Sequence, residues 1–207
     1  MGHVITVAQQ KGGSGKTTLA ATLAVGLARA GERVAVMDTD PQGSLGRWFL
    51  ERAERGDPGM EFTTSSAWGA GWEVKKLLRE ADWGVIDTPP KIDGDLRPCL
   101  KAADLVLVPV SLGQADVWAV EGVVKMAREE GREVLVVLNR AKAGTRVQGQ
   151  VEAALAELGV PVAEARLGHR VAYAEALGQG RGPQEGPRGA WTAEAEALVA
   201  AVREAAG

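Results

Sequence analysis

The chain has 207 residues, of which 45% are hydrophobic and 25% are charged, and its formal net charge is −3. This composition excludes a disordered or fibrous protein, and the net charge means that any contact with nucleic acid must use a local basic patch. No apolar run reaches the roughly 20 residues that cross a bilayer, and a single cysteine excludes an intrachain disulfide. We expect one domain spanning residues 1–207, located in the cytoplasm.

The chain opens with a strand, a glycine-rich turn and a helix. Residues 4–7 are apolar or β-branched, and residues 19–27 carry leucine at helical spacing ahead of Gly31. Backbone N–H groups of such a turn, together with the helix N-terminus behind it, bind phosphate. Lys16 would reach the β- and γ-phosphates, and the Thr17 hydroxyl would ligate Mg²⁺. An ordinary glycine-rich turn is the alternative. The candidate cradle comprises Gly12, Gly13, Ser14, Gly15, Lys16, Thr17 and Thr18.

The turn departs from the general phosphate-binding motif at two positions. Gln10 stands where the motif has glycine, and a second lysine, Lys11, lies inside the loop. Residues 11–18, Lys-Gly-Gly-Ser-Gly-Lys-Thr-Thr, resemble the deviant Walker A sequence of the ParA/MinD family of dimerising ATPases. The resemblance implies an ATP-dependent homodimer in which Lys11 contacts the partner subunit's nucleotide, in the manner of an arginine finger. The alternative is a solvated loop lysine.

Two aspartates follow the next apolar segment. Residues 33–38 predict a buried strand that ends at Asp38, and Asp40 lies in the loop beyond it. Carboxylates at this end of a strand lie where open α/β sheets bind ligands. The family resemblance implies that Asp40 positions the attacking water, and that Asp38 supports the loop and the water shell of Mg²⁺. A turn starter and a strand-end cap are the alternatives.

Two later strand ends carry further candidates. Residues 83–87 predict a strand that ends at Asp87, which resembles the family's Walker B aspartate and is therefore expected to hold Mg²⁺ through a water. Residues 133–138 predict another strand, followed by Asn139. Family members commonly contact adenine with an asparagine there, so Asn139 is the candidate for base recognition. A loop cap is the alternative.

The remaining segments continue the alternation of strands and helices. Trp68 and Trp72 lie in a glycine-rich patch, where they could stack on a partner; half-buried packing is the favoured interpretation. The pattern predicts a doubly wound, mostly parallel α/β sheet of the P-loop NTPase type, with helices on both faces. Helices are predicted at residues 44–55, 73–80, 115–130 and 146–158, and strands at residues 62–65 and 105–110.

The C-terminal part contains the candidate DNA contacts. Residues 178–189 are rich in glycine and predict a flexible loop, and Thr192 is expected to cap the last helix. Arginines outnumber acids locally, and in a two-fold dimer the set would be doubled, which favours non-specific DNA binding. Solvated surface charges, or residues lining the base pocket, are the alternatives. The four arginines are Arg166, Arg170, Arg181 and Arg188.

The resemblance covers essentially the whole chain and is closest to the small ParA proteins of the ParF type. It implies an ATPase that uses ATP and Mg²⁺, binds DNA as an ATP-dependent dimer and positions a plasmid, chromosome or protein assembly. A small partner protein would stimulate hydrolysis. The alternatives are a nucleotide-gated binding module with negligible turnover, or a MinD-like spatial regulator. The acidic tail argues against membrane attachment, and the lone Cys99 argues against an iron–sulfur carrier.

Overall fold

The computed structural model of the chain describes residues 2–90 and 96–207. The strands in these ranges are β1 (His3–Val7), β2 (Val34–Asp38), β3 (Glu61–Thr64), β4 (Trp83–Asp87), β5 (Leu105–Val110), β6 (Glu133–Ala141) and β7 (Val162–Gly168). They form one sheet in the order β3-β2-β4-β1-β5-β6-β7, and every neighbouring pair is parallel. The predicted doubly wound α/β sheet is confirmed.

Helices connect the strands and cover both faces of the sheet. They are α1 (Lys16–Arg29), α2 (Ser44–Ala53), α3 (Ala70–Leu77), α4 (Leu96–Ala102), α5 (Gln114–Glu129), α6 (Arg146–Glu157), α7 (Val171–Gly178) and α8 (Ala190–Ala206). Short 3₁₀ turns occupy Ala67–Gly69 and Pro183–Glu185. No helix within residues 2–90 and 96–207 is long and apolar enough to span a bilayer.

Alternate residues of the strands enter different apolar cores. Ile5 and Val7 of β1 pack with α1 and α8, through residues such as Leu23 and Leu198. On the opposite face, Val106 and the other inward residues of β5 and β6 pack against α4, α5 and α6. Because both faces of the sheet are covered, the central strands are apolar almost throughout, as parallel sheets require.

Three expectations about local structure are wrong. Trp68 and Trp72 are 75% and 74% exposed. In the 3₁₀ turn it is Ala67 that enters a core, and in α3 it is Ala70 and Val74 on the side opposite Trp72. Thr192 does not cap α8, since the helix begins at Ala190 and the buried Thr192 hydroxyl donates to the carbonyl of Pro187.

The glycine-rich segment at residues 178–189 is also not a free loop. Gln184 is buried and its side-chain amide donates to the carbonyl of Thr22 in α1, at 2.9 Å. Glu185 forms an ion pair with Arg52 of α2, at 2.8 Å. Glycine composition indicated flexibility, but these long-range contacts of Gln184 and Glu185 attach the segment to two helices.

Candidate nucleotide-binding site

Three adjacent strands end together at one edge of the sheet. Val7 at the end of β1 lies opposite Asp87 at the end of β4, and Asp87 lies opposite Asp38 at the end of β2. The loop that follows β1 therefore meets both carboxylates at the carboxyl edge, where open α/β sheets bind ligands. The structure thus brings together residues that the sequence places up to 75 positions apart, from residue 12 to residue 87. We call this set the phosphate-loop edge: residues 12–18, Asp38, Asp40 and Asp87.

The glycine turn passes very close to β6. Gly15 has a φ of 92°, and a Cβ atom there would lie 2.2 Å from the Nδ2 atom of Asn139. That Asn139 amide donates to the Ser14 carbonyl at 2.7 Å, while its Oδ1 atom accepts from the backbone N–H of Arg140. Only glycine fits at position 15, since both the backbone angle and the space demand it. In this state Asn139 supports the phosphate loop, and its contact with a base stays a prediction.

Buried Lys16 and Asp87, with half-buried Thr17 between them in the contact network, form the centre of the phosphate-loop edge. The Thr17 hydroxyl donates to the Oδ2 atom of Asp87 at 2.6 Å. Burial raises the pKa of the Asp87 carboxyl to about 7, although the Thr17 hydrogen bond and Lys16 oppose the rise. Burial also lowers the pKa of the Lys16 ammonium, against the attraction of Asp87 and Asp40. The protein therefore holds one cation and one carboxylate where water solvates neither well.

The oxygen atoms at this centre suit Mg²⁺. The second carboxylate oxygen of Asp87, Oδ1, is buried and has no hydrogen-bond partner among the described residues. An orphaned oxygen of this kind in a native site calls for a water or an ion. The parts of the chain that the structure describes contain no cluster of three or more histidine, cysteine or carboxylate side chains that could enclose a metal. Mg²⁺ fits, because it commonly binds one or two protein oxygens and takes its other ligands from water and phosphate.

Asp38 and Asp40 hold the loop after β2. Asp38 accepts from the backbone N–H of Asp40 at 3.0 Å and from that of Gly46 in α2 at 2.9 Å. Both of its oxygens are therefore engaged by backbone donors, which fits the loop-supporting part of its expected role. Asp40 accepts from the N–H of Gln42 with one oxygen and is only partly buried. Its expected role on the attacking water stays a prediction.

Lys11 lies on the outer side of the same loop. Its Nζ atom is 2.9 Å from the Oδ2 atom of Asp116, in the first turn of α5. The Lys11 side chain is 45% exposed, whereas that of Asp116 is 8% exposed. Lys11 is thus an exposed loop lysine that pairs with a carboxylate of its own chain, and its contact with the partner subunit's nucleotide stays a prediction. Sequence reasoning missed Asp116, although an acid in the first turn of the helix that follows β5 was a usable signal.

A large cavity adjoins the glycine turn. Its volume is about 930 Å³, and Gly15, Thr18 and Asn139 form its boundary with the phosphate loop. Trp48 of α2 and Tyr173 of α7 lie on its walls. Cavities of this size accommodate small-molecule ligands, and this one continues directly from the phosphate loop. A nucleoside attached to a phosphate in the loop would have room here.

The four candidate DNA-binding arginines differ in their surroundings, and their contact with DNA stays a prediction. Arg166 pairs with Glu152 at 2.8 Å, and Arg170 pairs with Glu194 at 2.6 Å. Arg181 and Arg188 take part in no ion pair within residues 2–90 and 96–207. Arg181 lines a different, smaller cavity of about 280 Å³ together with Arg52, Arg55 and two acids. The cationic character expected from the sequence is therefore partly neutralised within the chain.

The sequence matches the family described as the CobQ/CobB/MinD/ParA nucleotide binding domain over residues 5–183. The chain belongs to this family. The ParA/MinD identification made from residues 11–18 is confirmed, and so is the enzyme class, a P-loop ATPase with ATP as its nucleotide. Mg²⁺ stays the expected metal ion.

Known proteins similar to the chain come from several branches of the family. Maintenance of carboxysome distribution protein A of Halothiobacillus neapolitanus is 28% identical over 182 residues, which cover 85% of this chain and 84% of that protein. Chromosome-partitioning ATPase Soj of Thermus thermophilus is 35% identical over 146 residues, which cover 58% of this chain and 57% of that protein. The solved structure of septum site-determining protein MinD from Pyrococcus horikoshii, complexed with Mg-ADP, has a TM-score of 0.84 at 19% identity; the match covers 100% of this chain and 98% of that one.

Proposed function

We propose that the chain is a ParA-type ATPase that pairs around ATP, binds DNA without sequence preference and positions a cargo. The observation that carries this proposal is the arrangement of two lysines in one loop. Lys16 is buried at the centre of the phosphate-loop edge, whereas Lys11 lies on its outer side. A single buried lysine suffices to bind a nucleotide, so a second lysine that remains 45% exposed suits a contact between subunits.

The residues of the phosphate-loop edge take distinct roles in this proposal. The backbone N–H groups of residues 12–18 and the Lys16 ammonium bind the β- and γ-phosphates. Thr17 and Asp87 would hold Mg²⁺, and Asp38 would support the loop beside them. When bound, the ion neutralises charge that develops on the phosphates. Asp40 is close enough to Lys16 to affect its pKa, and we assign it to the attacking water.

The names of the relatives support a positioning function. One is named for carboxysome distribution and the other for chromosome partitioning, so proteins similar to this chain serve different cargoes. We therefore assign the choice of cargo to a partner protein, which would also stimulate hydrolysis and release the dimer from DNA. Retention on the nucleoid would then depend on the nucleotide state of the ATPase.

The test of this proposal measures ATP binding, dimerisation and hydrolysis separately in Lys11→Ala. We expect the variant to bind ATP within about threefold of wild type, because Lys16 and the loop are intact. It should fail to dimerise with ATP in analytical ultracentrifugation, and hydrolysis should fall to background. Lys76→Ala, an exposed lysine on α3, serves as the matched control. Normal ATP-dependent dimerisation of Lys11→Ala would show that the role across the interface is wrong.

A second measurement separates an ATPase from a nucleotide-gated binding module. Wild-type hydrolysis is followed with ATP alone, with DNA of random sequence, and with DNA plus a candidate partner protein encoded beside the gene. We expect slow ATP hydrolysis that becomes faster when DNA and the partner protein are both present. Tight ATP binding without turnover in all three conditions would favour the binding module instead.

A further inference from the structure

One side of α3 presents two tryptophans and two cations to solvent. Trp68 lies in the 3₁₀ turn before the helix, Trp72 and Lys75 lie in α3, and Arg79 lies in the turn that follows it. Their spacing of four, three and four residues is helical and places them on the same side. All four side chains are exposed. We call this set the tryptophan–cation stripe.

The opposite side of α3 attaches the helix to the sheet. Ala70 and Val74 belong to a core that also contains Met37 of β2 and Ile86 of β4. Gly84 of β4 allows the close approach of the helix, since a Cβ atom there would lie 3.2 Å from the Cγ2 atom of Val74. Small side chains already fill the contact with the sheet, so the tryptophans could be buried only against another molecule.

The positive charge of the tryptophan–cation stripe is not neutralised within the described parts of the chain. Lys75 and Arg79 form no ion pair there. The neighbouring acids, Glu73 and Glu80, each follow a member of the stripe by one position, which on a helix corresponds to a rotation of about 100°. They therefore flank the stripe and do not interrupt it. Its charge complements an anionic partner.

We propose that the tryptophan–cation stripe docks an acidic, amphipathic segment of the partner protein that selects the cargo. The inference rests on the proposed function, which requires such a partner but does not locate its contact. Exposed tryptophans provide large apolar surfaces, and tryptophan and arginine are the side chains that most often anchor protein interfaces. Trp68 and Trp72 would contact apolar side chains of the segment, and Lys75 and Arg79 would contact its carboxylates.

The order of residues along α3 specifies the segment further. The two tryptophans lie at the N-terminal end of the stripe and the two cations at its C-terminal end. At a rise of 1.5 Å per residue, the centres of the two halves are about 10 Å apart, and the whole stripe is about 16 Å long. A complementary segment therefore has an apolar cluster at one end and carboxylates about 10 Å further along.

A membrane surface and DNA fit this arrangement less well. Helices that lie on membranes have an apolar side and a charged side, whereas the apolar side of α3 is buried in a core and its tryptophans and cations share the other side. Double-stranded DNA would contact the two cations, but tryptophan stacks on bases only where these are unpaired. A protein segment uses both halves of the stripe.

The test selects binders from a phage-displayed library of random peptides of about 16 residues, long enough as a helix to cover the stripe. We expect the selected peptides to combine an apolar cluster with aspartate or glutamate. Labelled copies should bind Trp68→Ala with Trp72→Ala at least tenfold more weakly than wild type in fluorescence anisotropy, with a smaller loss for Trp72→Phe alone. Lys75→Gln with Arg79→Gln should weaken binding about threefold at physiological salt and have less effect at high salt.

Helix α5 supplies the matched control. Trp118 is 66% exposed and precedes the exposed Lys125 by seven positions, the same separation as that of Trp68 and Lys75, but Glu121 lies between them. Trp118→Ala with Lys125→Gln removes the same residue types from the surface and should bind the selected peptides as wild type does. Melting temperatures verify that every variant folds, which is expected because the replaced side chains are exposed.

The inference is overturned if the selection yields no peptide, if the selected peptides are basic, or if they bind the double tryptophan variant as tightly as wild type. Vesicles of phosphatidylcholine and phosphatidylglycerol, and duplex DNA of random sequence, are tested in parallel. Binding to either that requires the tryptophans, without peptide binding, would assign the stripe to lipid or nucleic acid and overturn the inference as well.

Failure of this inference is distinguishable from failure of the proposed function. ATP binding, ATP-dependent dimerisation and basal hydrolysis are measured in wild type and in Trp68→Ala with Trp72→Ala, and the two should agree because α3 lies outside the phosphate-loop edge. A wild type that neither dimerises with ATP nor hydrolyses it contradicts the proposed function. Normal ATPase behaviour without docking of acidic peptides contradicts only the role of the stripe.

Discussion

The phosphate-loop edge and the arginine-rich residues 166–189 both contain several charged side chains. The charges of the first are buried and incompletely compensated, whereas charges of the second are paired with side chains of opposite charge. At the phosphate-loop edge, burial shifts the pKa values of Lys16 and Asp87, and one oxygen of Asp87 has no partner among the described residues. In residues 166–189, Arg170 and Glu185 are each paired within the chain. Unsatisfied buried charge indicates a site that awaits a ligand, whereas satisfied charge indicates structure.

The largest expected effect tests the first half of this comparison. Lys16→Ala removes a charge-assisted contact with the β- and γ-phosphates, and we expect the dissociation constant for ATP to rise about 100-fold or more. The melting temperature should not fall, because the lysine is buried at a cost to its charged form. Isothermal titration calorimetry and thermal unfolding measure the two effects. Near-normal ATP binding would mean that Lys16 is a structural charge, like those in residues 166–189.

The sequence was sufficient to predict the phosphate-loop edge because its chemistry restricts both residue type and spacing. A glycine-rich turn followed by lysine and threonine, and aspartates at strand ends, serve few purposes other than phosphate and metal binding. The parallel sheet followed from apolar runs that alternate with helical patterns. Asp38 and Asp87 were therefore placed together before their register was known.

The sequence was a poor guide where the outcome depended on distant partners. The ion pair of Arg170 depends on Glu194, which lies 24 residues away in α8. Asp116 meets Lys11 across 105 residues. Trp68 and Trp72 are of a residue type common in cores, yet both are exposed because their neighbours Ala67, Ala70 and Val74 are the residues that face the core. Local patterns carry no information about these pairings.

The second prediction asks whether Asp40 acts in chemistry or only in a turn. Asp40→Asn keeps an oxygen that can accept from the N–H of Gln42 but lacks the charge, so a turn residue would tolerate the change. We expect hydrolysis to slow about 100-fold while ATP-dependent dimerisation is preserved. A phosphate-release assay and ultracentrifugation measure these quantities. Wild-type turnover in Asp40→Asn would reassign the residue to the turn.

The third prediction tests whether paired charge near residues 166–189 supports structure. Arg52→Ala removes the ion pair with Glu185 and the hydrogen bonds to the carbonyls of Pro58 and Gly180. We expect the free energy of unfolding to fall by about 2–3 kcal/mol, since partly buried acceptors lose a charged donor. Urea denaturation measures the loss, and the affinity for ATP should be unchanged.

The control for this prediction lies one turn away. Arg55 is exposed and takes part in no ion pair among the described residues, so Arg55→Ala should change the free energy of unfolding by less than about 0.5 kcal/mol. Equal effects of Arg52→Ala and Arg55→Ala would mean that the Arg52 pair contributes little. Arg170 and Glu194 would then be the next ion pair to test in the same way.

The smallest expected effect concerns the arginines that form no ion pair among the described residues. Arg181 and Arg188 are available to phosphates, whereas Arg166 and Arg170 must first leave a carboxylate. Because DNA binding through phosphates releases counterions, replacing two free cations should lower the slope of log affinity against log salt by about 2 per subunit. We expect Arg181→Gln with Arg188→Gln to weaken ATP-dependent retention on random DNA about tenfold. Dimerisation should not change.

The paired arginines supply the matched control for this last measurement. Arg166→Gln with Arg170→Gln removes the same charge from the chain but leaves Glu152 and Glu194 unpaired. If net charge alone mattered, the two double variants would lose DNA affinity equally. If only arginines without a carboxylate partner bind phosphates, DNA affinity should fall clearly only in Arg181→Gln with Arg188→Gln. If replacing Arg166 and Arg170 weakens DNA binding more, their ion pairs must break when DNA binds. An ion pair within the chain would then not identify a purely structural charge. If neither set matters, the DNA surface lies elsewhere, and the cations of α4 and α5 (Lys101, Lys125 and Arg128) are the next to replace.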